Sequence, residues 1–527
     1  MKLSRRDLLK AGMFAGAATA LPLQRMVSGI DGFSRRMPAS KLPAPFTVPF
    51  ARPKPATPVA TTATTDYYRI DMRPTQLEIL PGFKTVTYAY NGQVPGPTIR
   101  ATQGREVVVR HTNMLPKVHD RLGYEPWTSV HLHGSASLPQ YDGYASDITR
   151  PGESKDYNYP DFQAARTLWY HDHGVHHTAQ NAYQGLVAMY TLSDPLEQSL
   201  NLPTGEFDVP LMISDAMFER DGQLLFTLDD QSGMWGDVAL VNGRPWPNMQ
   251  VKRRKYRFRV LNSCISRSFN YRLSNNAPFH VIATDGGLTA QPWQVTNIRH
   301  GSAERYEVII DFSSYSVGTK IQLMNGSPPN NRDYPNMDRL MQFEVIGDSF
   351  PTADNNMPAV LNPTNPVMAL QESQAVATRN FRFRRQAAQW TINGTTWADV
   401  VSSNYQFTLA DPVKDSVEIW VIENPSGGWF HPVHIHLVDF KILDRNGQPP
   451  HPWERGPKDV VYTGEAETVR LLMRFEGRGR YMMHCHNLVH EDHDMMGQFN
   501  VIDPAQAGDD PLGTPARSIA QMGPLVP

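Results

Sequence analysis

Apolar and polar positions along this chain alternate far more often than they follow a helical period. Short runs rich in Val, Ile, Tyr, Phe and Thr recur, broken by Asn-Gly, Pro-Gly and Gly-Gly pairs. Period-two alternation puts one face of a segment in a core, and these dipeptides form turns, so the pattern predicts many short strands. The 43 prolines agree, because proline is poorly tolerated inside helices. Three strand-like segments are alike: REVVVRHTN (105–113), RKYRFRVLN (254–262) and DSVEIWVIEN (415–424). Each ends in Asn, and each follows an Asn-Gly turn, in YNGQVPGP (90–97), VNGRPWPN (241–248) and INGTTWAD (392–399). One such match arises easily by chance. Three in the same order predict an all-β chain of three similar β-sandwich units.

Length supports that count, since 527 residues at about 150 per domain give three or so. Composition shifts place the domains at 60–196, 205–348 and 379–503, with a linker at 349–378 rich in Pro and Asn, and a tail at 504–527. Residues 1–45 are set apart. Ser4-Arg5-Arg6-Asp7-Leu8-Leu9-Lys10 precedes a modest apolar stretch, Ala11 to Leu23, that contains Ala18-Thr19-Ala20. That order is a twin-arginine export signal, so the expected partner is the twin-arginine machinery and the destination the bacterial periplasm or exterior. Residues 38–60, rich in Pro, Ala and Thr, read as a flexible lead-in.

Charge excludes some functions. With 50 basic and 52 acidic residues, nothing calls for nucleic acid or a charged membrane surface. No apolar run reaches the roughly 18 residues of a membrane helix, so no span is expected in the mature protein. An exported chain could use cysteines for disulfides, but only Cys264 and Cys485 are present. Cys264, in VLNSCISRS, reads as a small core residue; Cys485 stands between two histidines.

Thirteen of the 18 histidines lie within or beside four clusters: His131-Leu132-His133, His171-Asp172-His173, His431-Pro432-Val433-His434-Ile435-His436, and HCHNLVHEDHDMM from His484 to Met496. On a strand, residues i and i+2 share a face. The pairs 131/133, 171/173, 434/436 and 484/486 therefore offer eight convergent imidazoles, enough for three metal ions, and imidazole suits Cu, Zn, Fe or Ni. Two pairs come from the first unit and two from the third, which puts the site between them. Cys485 points the other way, where His431, His490 and Met495 can join it. Two His, one Cys and a weak Met make a blue-copper electron-transfer set. The cysteine would bind one ion while its neighbours bind the other site, as a wire between them.

These segments, with HLHGSAS, DITRPGESKDYNYP, ARTLWYHDH, NAYQGL and GGWFHPVHIHLVDFK, resemble the multicopper oxidase family over about residues 65–503, most closely its bilirubin oxidase and spore-coat laccase branch. The resemblance implies three cupredoxin domains and four copper ions that couple one-electron oxidations of a small reducing substrate to reduction of O2 to water. It implies a type 1 copper at His431, Cys485, His490 and axial Met495, and a type 2 copper at His131 and His434. The type 3 pair falls to His133, His171, His173, His436, His484 and His486. It also places Asp142 and Glu491 beside the O2 site as proton relays or as carboxylates that order the ligands, and Trp429 and Phe430 at the type 1 rim. His176, His177 and His493 are expected outside the ligand sets. The implied donors are phenols, aromatic amines and tetrapyrroles. The alternative is a Cu(I) or Mn(II) oxidase, which often carries a Met-rich insert; here only Met337/Met341 and Met482/Met483 stand close together. A non-enzymatic cupredoxin scaffold would have lost its ligands, and this chain has not.

Overall fold

The three Asn-ending segments occupy equivalent places in a computed structural model that describes residues 35–526 apart from 228–229, 349–351 and 507. Strand Glu106–Asn113 lies parallel to Thr65–Leu77 and antiparallel to Glu153–Tyr159. Lys255–Asn262 lies likewise between Asp208–Ala216 and Arg305–Asp311, and Val417–Asn424 between Ala375–Gln386 and Glu467–Arg474. Each segment anchors a sheet that faces a second sheet across an apolar core, giving three two-sheet sandwiches. The all-β expectation holds.

The shared asparagines explain the shared shape. At each strand end the side-chain oxygen accepts from the backbone N–H two residues on (Leu115, Cys264, Ser426), while the amide donates to carbonyls of neighbouring loops. In each Asn-Gly turn both residues have positive φ, from 50° to 84°, the left-handed region that Asn and Gly tolerate. The turn asparagine then pins the first strand of its unit: Asn91 accepts from Asp71 N–H, Asn242 from Met212 and Asn393 from Arg382.

One segment departs from the sequence reading. The lead-in is ordered: Met37 is buried in the second-domain core, and Phe46, Phe50 and Ala56 donate backbone hydrogen bonds to Trp246, Asn248 and Thr98. Proline-rich chain forms no ladder of its own, yet its remaining N–H groups can borrow acceptors from a neighbouring sheet. The tail is ordered too. Arg517–Ser518 pairs with Glu153–Tyr159 of the first unit, and Arg478 and Arg480 hold Asp510 and Asp509. The segment read as an export signal, Ser4 to Leu23, lies outside the described residues. Among the described residues no helix is long and apolar enough to cross a membrane.

A further apolar cluster spans all three units, joining Trp169 and Ala179, Met212 and Leu261, and Val460 and Leu488. The histidine-bearing strands of the first and third units come together beside it.

Candidate metal centre

Strand Val130–His133 pairs antiparallel with Arg166–Asp172, so His131 lies opposite His171. In the third unit His431–Ile435 pairs with Gly479–Cys485, which sets His434 opposite His484 and Val433 opposite Cys485. Alternation does the rest, and the two sheets present their histidines to one another. His131 stacks on His436 with ring centres 4.0 Å apart, and His133 on His434 at 3.7 Å. His173 Nε2 and His436 Nε2 each lie 3.1 Å from His484 Nε2. His133, His171 and His486 form a second group, with ring centres 5.2–5.8 Å apart. All eight imidazoles predicted to converge do so, at 0–1% exposure.

Burial decides their chemistry. It disfavours the imidazolium and carries His133, His171, His434, His436 and His486 well below the ordinary histidine range, and His173 to about 3. Those six rings therefore favour the neutral form, which holds a free lone pair. His131 Nε2, His133 Nδ1, His171 Nε2, His434 Nε2 and both nitrogens of His486 are buried with no partner. Each orphaned polar atom costs about 1–3 kcal/mol, an arrangement a metal ion would relieve. The donor set thus fits metal, and nitrogen donors of this kind suit copper.

Several of the remaining ring nitrogens are held by oxygen. His131 Nδ1 lies 2.5 Å from the Asp142 carbonyl and His436 Nδ1 2.7 Å from its Oδ2. His484 Nδ1 lies 2.8 Å from Glu491 Oε2, whereas His173 turns Nε2 toward His484 and its buried Nδ1 has no partner. Hydrogen bonds of this kind fix ring orientation and tautomer.

On the opposite face, Cys485 Sγ lies 3.4 Å from His431 Nδ1 and 3.6 Å from His490 Nδ1, and accepts from Asn487 N–H. Met495, fully buried in the same cluster, donates through N–H to the His490 carbonyl and accepts through its carbonyl from Cys485 N–H. Both cysteines are free, and Cys264 sits in the second-domain core, so no disulfide competes. Burial pushes the Cys485 thiol up, so a metal ion must displace its proton to bind.

Sequence reasoning missed several neighbours. Trp390 is buried and stacks on His490 at 3.7 Å, Trp169 stacks on His171 at 4.1 Å, and Ser232 of the middle unit accepts from His490 Nε2 at 2.9 Å. Asp459 meets His133 Nε2 at 3.1 Å. None stands in a repeated motif, so only the folded chain reveals them. Trp429 is half-buried, edge-on to Trp390 at 5.1 Å and to His490 at 6.4 Å. Phe430 is not on the rim: it is buried and stacks on Tyr462, because it takes the opposite face from Trp429. His176 is exposed, His177 lies against Trp127 and Tyr124, and His493 faces the Val489 carbonyl.

Comparison with known proteins agrees with this geometry. Sequence models described as multicopper oxidase match residues 71–197, 194–331 and 372–505. A bilirubin oxidase from Albifimbria verrucaria is 42% identical over 453 residues, covering 82% of this chain and 76% of that one. A laccase from Bacillus subtilis is 34% identical, covering 85% and 96%. A crystal structure of a multicopper oxidase from Pediococcus acidilactici superposes with a TM-score of 0.77 at 29% identity, covering 88% and 93%. With three cupredoxin-like domains and a centre of buried imidazoles and one thiol, the chain belongs to the multicopper oxidase family, copper oxidoreductases that use O2 as acceptor.

Proposed function

We propose a four-copper oxidase of the laccase or bilirubin oxidase type, acting on phenolic, aromatic or tetrapyrrole donors. His431, Cys485, His490 and Met495 hold the type 1 ion, and His131 and His434 the type 2 ion. The type 3 ligands are His133, His171 and His486 for one ion and His173, His436 and His484 for the other, a reading supported by the 3.1 Å approach of His173 and His436 Nε2 to His484 Nε2. Bound copper supplies the one-electron chemistry and the reduction of O2 to water. The chain supplies position and protons. Asp142 and Glu491 orient the imidazoles they touch, and their buried carboxylates beside the type 3 histidines carry protons toward the oxygen being reduced. Cys485, one residue from both His484 and His486, joins the two sites covalently.

The observation that carries the donor class is the aromatic rim. Trp429 is half-buried beside Trp390 and His490, with the Arg385 guanidinium 6.0 Å over its ring, so a planar donor can stack close to His490. The close methionine pairs offer no thioether surface for Cu(I): Met337, Met341, Met482 and Met483 are all buried. We also propose twin-arginine export to the periplasm or medium, on the strength of Ser4 to Lys10 and the apolar stretch behind it. Oxygen uptake by the copper-loaded protein, compared for bilirubin, a methoxyphenol and Cu(I), tests the reading. Organic donors are expected to be much faster. Dominance of Cu(I) would replace the reading with a metal-detoxifying oxidase.

A further inference from the structure

The middle domain lends no histidine to the eight-imidazole site, yet it reaches that site through one side chain. Arg305, wholly buried on strand Arg305–Asp311, grips the Asp459 carboxylate with both terminal nitrogens, Nη1 at 2.6 Å from Oδ1 and Nη2 at 2.5 Å from Oδ2. Asp459 belongs to the third domain. Its Oδ1 lies 3.1 Å from His133 Nε2 of the first domain, and its carbonyl 2.8 Å from His434 Nδ1. Asp285 braces the pair from the middle domain, accepting from Arg305 N–H and from the N–H groups of Asp459 and Val460. Lys458 closes the network by bridging Asp285 and Glu304.

His133, Asp459 and His434 lie close enough together to be taken for a metal triplet. The hydrogen bonding decides otherwise, because both Asp459 oxygens already carry the Arg305 fork, while His133 Nδ1 and His434 Nε2 are the unpartnered atoms. Asp459 thus takes one nitrogen of each ring and leaves the other for the metal. It also turns His133 so that Nδ1 is presented, whereas His131, His171 and His434 present Nε2.

Resting on the metal assignment proposed above, we propose that Asp459, clamped by Arg305, is a positioning residue that sets the tautomer and orientation of His133 and His434 and ties the middle domain to the oxygen-reducing site. Loss of a partner that orders a metal ligand typically costs about 10–100-fold in metal affinity or activity. The carboxylate itself binds no ion and carries no electron.

The test uses the full-length, copper-loaded protein. Copper per chain, the blue absorption of the thiolate-bound ion and the EPR-silent copper fraction are measured in the parent, Asp459→Ala, Asp459→Asn and Arg305→Met. The Arg445→Met/Glu454→Gln double variant serves as a control, since it removes a buried ion pair that touches no histidine of the site. Asp459→Ala and Arg305→Met are expected to keep the blue absorption and lose at least about ten-fold in affinity for the EPR-silent copper. Asp459→Asn, whose amide oxygen still accepts from His133 but which keeps only half of the Arg305 fork, should fall between Asp459→Ala and the parent, and the control should keep all its copper. If the alanine variant does not fold, Arg305→Met carries the comparison. Copper retention equal to the control in the folded variants would overturn the proposal, as would a loss in Asp459→Asn as deep as in Asp459→Ala. A parent with blue absorption but no EPR-silent copper would overturn the metal assignment first, and the proposal with it.

Discussion

One residue step on a strand turns a side chain to the opposite face, and His484-Cys485-His486 uses that step to face two clusters of potential ligands. This is why the site was largely legible in the sequence: the i, i+2 spacing alone predicts eight imidazoles on one side and the thiol on the other, as the structure places them. The oxygen partners were less so. Asp142 and Glu491 stand near histidines in sequence and were found by resemblance, whereas Asp459 lies 23 residues beyond His436 and depends on a fold-level contact with Arg305. Glu491→Gln keeps an acceptor for His484 but cannot carry a proton. We expect kcat to fall about 10²-fold or more with the blue absorption unchanged. An unchanged kcat would leave Glu491 with orientation alone. A second prediction concerns Asp161, buried with the Tyr190 hydroxyl donating to it at 2.5 Å. Burial pushes its carboxyl up to about 7. The folded state then holds the proton more tightly than the unfolded chain, whose carboxyl titrates near 3.9. Its contribution is thus fully present below about pH 4, is lost as pH rises through about 7, and is flat above. Asp161→Asn keeps the acceptor and suits the positive φ of 48°. It should be more stable than the parent at about pH 8, by at most a few kcal/mol, and equal to it near pH 4. Unfolding midpoints that run parallel across this range would contradict that cause.

At the scale of elements, the repeated Asn carries more of the fold than the repeated apolar pattern does. Asn262 bonds the Cys264 N–H and donates to the carbonyls of Arg267 and His300, all within the middle domain. Replacing it with Ala leaves buried backbone groups without partners and should cost about 2–3 kcal/mol. Thermal unfolding would show the loss. An unchanged Tm would mean that the shared Asn is not what shapes the units. Alternation and turn residues made these units legible in the sequence. The parallel pairing of each Asn-ending strand was not, because hydrophobic pattern fixes a face and leaves the partner open. The lead-in and tail escaped for another reason. Their order comes from carbonyl acceptors and arginines on other domains, which local composition does not encode.

At the scale of the whole molecule, the two proposed metal sites are joined by Cys485, and the larger one is built where domains meet. His131 and His133 come from the first domain, His434 and His436 from the third, and Arg305 from the second. Neither half of the larger site exists without the other, so metal should act as a clamp between domains. Chelation should lower the unfolding temperature, with about 3 kcal/mol lost for each site filled at a hundredfold excess over its dissociation constant, and copper should restore it. A Tm indifferent to copper would argue against an ion at that junction. The most direct test of the account is anomalous diffraction at the copper edge from copper-loaded crystals. The account predicts one ion among His431, Cys485, His490 and Met495, and three among the eight imidazoles of His131, His133, His171, His173, His434, His436, His484 and His486. Ions bound elsewhere, or a larger site that stays empty while Cys485 is filled, would contradict it.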